Sequence, residues 1–172
     1  MGFLYLNKAE KDTWLPQLFD LLYENMCSVA PSGLPYEQEK ARWLAEVSPA
    51  MDKAPRQIIL CIVDGALAGY IQFYVRGRML MVEELQLKKK YHRTSLFYRF
   101  CRHLMSVMPA DLQTVEAYAD RRNAYSIRLM EKLGMQACDP ETESPFVHMR
   151  GSAENICCFL NTRKQVILYV QR

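Results

Sequence analysis

The sequence predicts a mixed, mostly antiparallel sheet covered by helices, an α/β or α+β domain. Three observations predict it. Apolar residues recur at three- and four-residue steps in four segments, the mark of amphipathic helices. Between the second and third of these lie three strand-like runs separated by Asp64-Gly65 and by Arg76-Gly77-Arg78, which read as an antiparallel meander. Beyond the meander comes a strand–helix–strand crossover, and that connection demands a parallel neighbour.

The elements follow in order. Phe3 to Asn7 suits a short strand. From Ala9 to Ser28, Trp14, Leu18, Leu21, Leu22 and Met26 trace a helix, broken by Pro31, Gly33 and Pro35. Tyr36 to Val47 is a second helix, closed by the stretch from Pro49 to Pro55. The meander strands are Arg56 to Val63, Ala66 to Val75 and Met79 to Leu87. Lys88 to His92 leads into a helix carrying Leu96, Phe100, Leu104 and Val107, which Pro109 ends. Gln113 to Ala119 is a strand, and "NAYSIRLMEKLGM" (Asn123 to Met135) the helix after it. Asn123 is placed to cap that helix and Gly134 to end it at positive φ. Phe146 to Met149 is another strand, and Gln165 to Val170 an extra C-terminal one.

At 172 residues, 50% apolar and 24% charged, the chain has the length and composition of one globular domain. Cys27, Cys61, Cys101, Cys138, Cys157 and Cys158 include no CxxC pair and no His at zinc spacing, so no metal is expected. The start, "MGFLYLNK", has no basic leader, and Leu6 breaks the myristoylation pattern. No apolar stretch approaches the roughly 18 residues of a membrane span. The expectation is a reduced, cytoplasmic protein without a membrane partner. A net charge of +3 is too mild to require nucleic acid, although Lys88–Arg93 and Asp120–Asn123 form two basic clusters.

The element order and the segment "NAYSIRLMEKLGM" together resemble the GNAT family of acyl-CoA-dependent N-acetyltransferases. That segment is similar to the family's N-x-x-(A/S)-x-x-x-(Y)-E-K-x-G-(F) pattern at Asn123, Ser126, Glu131, Lys132 and Gly134. The resemblance covers roughly Phe3 to Arg150. It implies acetyl-CoA as co-substrate, entering where the strands Met79–Leu87 and Gln113–Ala119 part. It implies pantetheine pairing with the backbone of Leu85, Gln86 and Leu87, and a further contact from Asn123. It also implies a pyrophosphate at the next helix start, where free N–H groups and the helix dipole attract anions.

The family's (Q/R)-x-x-G-x-(G/A) signature falls on "HRTSLF": His92, Arg93, Thr94, Ser95, Leu96 and Phe97. Ser95 stands where the pattern has Gly, and Phe97 where it has Gly or Ala. A Phe97 ring in the first turn would fill the space the phosphates need, unless the second apolar row that it forms with Cys101, Met105 and Met108 turns it into the core. Both basic clusters would flank the mouth of the cofactor site.

An amine acceptor must lose a proton before it attacks, since about one in a thousand lysine-like amines is neutral at pH 7.4. Glu83 and Glu84, read as pointing to opposite faces of their strand, are the candidate bases, with Glu84 preferred. A backbone N–H around Leu85 to Leu87 would hold the oxyanion. Relatives often carry a Tyr where this chain has Met130, which donates no proton. Tyr125 and Tyr118 are the candidate substitutes. Cys27, Cys61 and Cys101 have no His partner in the pattern, which argues for direct attack rather than a thiol intermediate.

The resulting expectation is transfer of an acetyl group from acetyl-CoA to a small-molecule or peptide primary amine. The alternative is a GNAT-fold binding or regulatory protein without catalysis. A domain of residues 1–150 would be followed by an extension of residues 151–172, helix plus strand. That extension would pack on the same domain or on a homodimer partner.

Overall fold

The computed structural model describes residues 1–53, 55–139 and 143–169. Its strands are β1 (Gly2–Tyr5), β2 (Gln57–Val63), β3 (Ala66–Arg76), β4 (Met79–Leu87), β5 (Thr114–Asp120), β6 (Gln136–Ala137) and β7 (Phe146–Ser152). Its helices are α1 (Lys11–Met26), α2 (Tyr36–Asp52), α3 (Leu96–Ser106), α4 (Ala124–Lys132) and α5 (Ala153–Tyr169). The strands form one mostly antiparallel sheet in the order β1-β2-β3-β4-β5-β7-β6. The parallel pair is β4–β5, as the crossover connection requires. The chain divides into two units, Met1–Tyr74 with Glu83–Thr94, and Val75–Val82 with the residues from Ser95 on.

In the first unit, Leu15, Leu18 and Leu21 of α1 and Val47 and Met51 of α2 bury against Ile58 and Leu60 of β2 and Tyr70 of β3. This core corrects the expected end of α2. The helix continues through Pro49 to Asp52, because Met51, 1% exposed, is anchored in the core. The proline's missing N–H costs one bond, and burial outweighs it. The β2–β3 turn sits at Asp64-Gly65, as expected, with φ of 51° and 75°.

β4 holds a second correction. Tyr70 and Gln72 lie two residues apart on β3 and therefore share a face. Tyr70 bonds to Glu84, and Gln72 to Glu83. Consecutive carboxylates thus reach the same face, which is the geometry of a β-bulge and not of the regular alternation expected from sequence. The shift persists down the strand, since Gln86 bonds through its side chain to Asn25 of α1. Beside the bulge β3 carries Gly69. A Cβ there would lie 2.4 Å from both the Gln86 carbonyl oxygen and Leu87 Cδ2, so only glycine admits this approach.

In the second unit, Met79–Val82 pair with Thr114–Ala117, and β5 pairs with β7 over seven residues from Thr114↔Ser152 to Asp120↔Phe146. Leu96, Phe100, Cys101 and Leu104 form the buried face of α3. Asn123 caps α4, its side-chain oxygen accepting from the Ser126 N–H at 3.1 Å. At the other end Gly134 has φ 85°, and bonds run from Gly134 N–H to Glu131 and from Met135 N–H to Met130. That pair of bonds is a Schellman motif.

The expected strand from Gln165 to Val170 is not one. α5 is helical through Tyr169, and Val170 lies outside the described residues. Ala153, Ile156 and Leu160 are buried at helical spacing, and the Arg102 guanidinium donates twice to the Leu160 carbonyl, at 3.1 and 2.5 Å. A six-residue apolar run cannot by itself distinguish strand from buried helix, and here the preceding helical turn decides. Among the described residues no helix is long and apolar enough to cross a membrane.

Candidate functional site

The bulge of β4 sets the environments of both candidate carboxylates. Glu83 accepts from Arg56 in a two-pronged pair, Nε to Oε2 at 2.5 Å and Nη2 to Oε1. Gln72 Nε2 adds a third donor at 3.1 Å. Glu83 and Arg56 also line a cleft of about 340 Å³ together with Ala50, Lys53, Pro55 and Tyr74. Glu84 instead accepts from the fully buried Tyr70 hydroxyl, with the Trp43 indole N–H 3.4 Å from its other oxygen. Burial pushes the Glu84 carboxyl above the ordinary range, and the bonds from Tyr70 and Trp43 offset part of that rise. Burial also lifts the Tyr70 phenol well above its usual value.

The expected cofactor residues at the end of β4 are partly committed. The Leu87 carbonyl accepts from Asn25 Nδ2 at 3.0 Å and from His92 Nε2 at 2.9 Å. His92, aligned with the phosphate-binding Gln or Arg, thus spends that nitrogen tying its loop to the strand. The Gln86 carbonyl is turned toward β3, against Gly69. Lys88 N–H donates to Ala68 of β3, so by alternation the backbone of Leu85 and Leu87 faces the other edge. Arg93 adopts φ 62°, a left-handed turn unusual for a side chain of its size, and Thr94 is exposed beside it.

In the second unit Ser95 occupies the N-cap position of α3 without a side-chain cap, and the first turn carries no acidic residue. Leu96 is buried. Phe97 falls on the core-facing side of the helix by its angle, yet in the first turn it is only half-buried, its ring edge-on to Tyr98 at 5.2 Å. The row behind it behaves as expected at Cys101, which is buried. Tyr125 is 46% exposed in the first turn of α4, and Met130 is half-buried.

The second basic cluster is largely paired. Asp120 accepts from the Arg122 backbone N–H and twice from its guanidinium, and Arg121 Nε donates to the Ser144 carbonyl. The Arg122 guanidinium holds the Asp120 carboxyl down at about 2. Burial pushes the Cys101 thiol up to about 12, so it is not a nucleophile at neutral pH. Among the described residues no three His, Cys, Asp or Glu side chains group to hold a metal.

Sequence reasoning missed one cluster altogether. Glu116, 8% exposed on β5, accepts from His148 Nε2 at 2.9 Å and from Arg150 Nε at 2.8 Å, both on β7. The His148 ring stacks on Tyr118 with centroids 4.5 Å apart and planes 12° from parallel. These residues are 30 or more positions apart in the chain, and only the β5–β7 register, Tyr118↔His148 and Glu116↔Arg150, brings them together. Alternating polar and apolar residues in "FVHMR" and "TVEAYA" were the available signal, and they do not state a register.

No family model matches the sequence, and no curated protein matches it. Solved structures do match. The PaiA N-acetyltransferase of Thermoplasma acidophilum, solved with coenzyme A, superposes with a TM-score of 0.67 at 16% identity, over 88% of this chain and 99% of that one. An acetyltransferase from Thermus thermophilus gives 0.69 at 9% identity, over 88% and 97%. The ribosomal-protein-S18-alanine N-acetyltransferase of Escherichia coli gives 0.59 at 13% identity, over 88% and 93%. The chain has the GNAT fold.

Proposed function

We propose that this protein is an N-acetyltransferase that moves an acetyl group from acetyl-CoA to a primary amine by direct attack. The observation that carries the reading is the GNAT fold over most of the chain, with a bulged β4 that presents polar groups within an otherwise apolar strand. The residues suit coenzyme A chemically. An uncapped helix start without acids favours an anion, and Lys88, Lys89, Lys90 and Arg93 precede it in the chain. Ser95 and Phe97 would offer backbone N–H groups to the pyrophosphate, and Arg93 a side-chain donor, the Thr94 hydroxyl being given to the Tyr91 carbonyl at 2.7 Å. Bound acetyl-CoA supplies the activated acyl thioester. On the edge of β4 turned away from β3, Leu85 and Leu87 would take the pantetheine arm, and the Leu85 N–H would hold the oxyanion. Asn123 keeps its cap on α4. Tyr125, exposed at the start of α4, is the assigned proton donor to the leaving thiolate. The acceptor is a small-molecule or peptide amine, with Glu83 in the wall of the 340 Å³ cleft, a volume within the range of small-ligand sites. Glu84, enclosed by Tyr70 and Trp43, is assigned to holding the bulge.

Calorimetric titration with acetyl-CoA, with free CoA as control, tests this. Micromolar affinity for both supports the reading, and no binding at millimolar concentration overturns it. Half-buried Phe97 in place of Gly or Ala favours a second reading, a GNAT-fold binding protein without catalysis. Under that reading Phe97→Gly creates cofactor affinity that the wild type lacks.

A further inference from the structure

We propose that His148, oriented by Glu116, is the group that takes the proton from the amine acceptor. The proposal rests on the N-acetyltransferase reading above. Its starting point is the hydrogen-bond inventory of the candidate bases. Glu83 is occupied by Arg56 and Gln72, and Glu84 lies behind buried Tyr70. His148 is arranged differently. A carboxylate only accepts, so Glu116 requires the proton on Nε2, and the neutral ring then carries its lone pair on Nδ1. Among the described residues Nδ1 has no partner.

The surroundings hold this arrangement in place. From β5, Glu116 and Tyr118 face the ring, and the Tyr118 stack fixes its plane. From β7 itself, Arg150 takes the second oxygen of Glu116, so the carboxylate cannot turn away. On the far side of the strand, exposed Cys138 donates its backbone N–H to the His148 carbonyl. Glu116 is nearly buried on a face where its neighbour Tyr118 is 54% exposed, so a desolvated carboxylate orients an imidazole that solvent reaches. A carboxylate–imidazole pair with the distal nitrogen open is the arrangement general bases use. The pair also stands where β5 leaves β4. The last registered pair is Val82↔Ala117, and Tyr118 is the next residue.

The protons balance as follows. His148 Nδ1 accepts one proton from the acceptor ammonium, and Glu116 compensates the charge of the imidazolium. The neutral amine forms the N–C bond to the thioester carbonyl, and the C–S bond breaks. The second amine proton ends on the CoA sulfur, and His148 returns the first to water. Glu116 acts as a positioning residue.

The test uses the full-length wild type, His148→Gln and Glu116→Gln, with unchanged melting temperature and acetyl-CoA affinity as the entry condition. Acceptors are butylamine, spermidine and a short lysine peptide, together with 2,2,2-trifluoroethylamine, which is already neutral at assay pH and needs no base. We expect His148→Gln to lower kcat/KM for the basic amines about 10²–10⁴-fold. Trifluoroethylamine turnover should fall less than about threefold, since no general-base step is left to lose. Independently of turnover, nitrogen-15 shifts of the His148 ring should report the Nε2–H tautomer, and Glu116→Gln should mix it with the other. Equal losses for both amine types, an Nδ1–H tautomer in the wild type, or acetyl-CoA binding without turnover of any amine each overturn the proposal. Absence of acetyl-CoA binding overturns the underlying reading instead.

Discussion

The Tyr70 hydroxyl donates a hydrogen bond to the Glu84 carboxylate in the interior of the first unit. Both groups are shifted upward, Glu84 because burial disfavours its charge and Tyr70 for the same reason with the carboxylate beside it. The pair spends folding free energy to keep a polar group inside, which marks it as specified by more than packing.

Replacing Glu84 with Gln tests that cost. Gln preserves the shape and still accepts from Tyr70 while removing the charge. The folded carboxyl holds its proton more tightly than the unfolded one, so the contribution of Glu84 to stability is most favourable at low pH and falls as pH rises through the folded value. The variant should therefore melt about 2–4 °C higher at pH 8, and the gap should close toward pH 4. Melting curves across pH check this. In the same variant kcat/KM should change by less than about tenfold, whereas loss of a general base costs about 10²–10⁴-fold.

Gly69→Ala forces a methyl into backbone. The methyl would meet the Gln86 carbonyl oxygen and Leu87 Cδ2 at 2.4 Å, and the carbonyl cannot rotate away as a side chain can. We expect a loss of about 1–3 kcal/mol, read as a lower midpoint in urea at unchanged slope. An unaltered midpoint would show that β3 and β4 are more loosely joined than the hydrogen bond from Lys88 to Ala68 indicates.

Asp120 contributes to the acid sensitivity of the second unit. With its folded value at about 2, it binds its proton more weakly than the unfolded chain does near 4. Its contribution is complete above pH 4 and vanishes as pH falls through about 2. Asp120→Asn should thus be less stable than wild type at pH 6, with the difference shrinking between about pH 4 and about pH 2. Acid titration followed by near-ultraviolet circular dichroism reads the difference directly.

Much of the fold was legible because its signals are local. Helical spacing located α1, α3 and α4, and Asn123 and Gly134 fixed both ends of α4. The Asp64-Gly65 dipeptide placed the β2–β3 turn. What escaped was decided by distant partners. α2 outran Pro49 because Met51 has a core to enter, and Gln165 to Tyr169 became helix because the turn before them packs through Ile156 and Leu160. The two-residue strand β6 exists through its pairing with Arg150 and Met149 of β7, and its own residues carry no strand pattern. At the site, Glu83 and Glu84 were visible as unusual residues in an apolar strand. Their shared face was not, since a bulge is specified by the neighbouring strand. Glu116 and His148 belong together only through register.

The bulge also gives β4 a change of parity. At the bulge Glu83 and Glu84 both reach the face of Gln72 and Tyr70, and beyond it even-numbered residues face the helices, Glu84 beside Trp43 of α2 and Gln86 on Asn25 of α1. One extra residue therefore works as a frameshift written in side-chain direction rather than in codons. Deleting a single residue there would leave the composition of β4 almost unchanged, yet it would turn Gln86 outward and drive Leu87 toward Asn25. The length of this strand is as much a part of its chemistry as the carboxylates it carries.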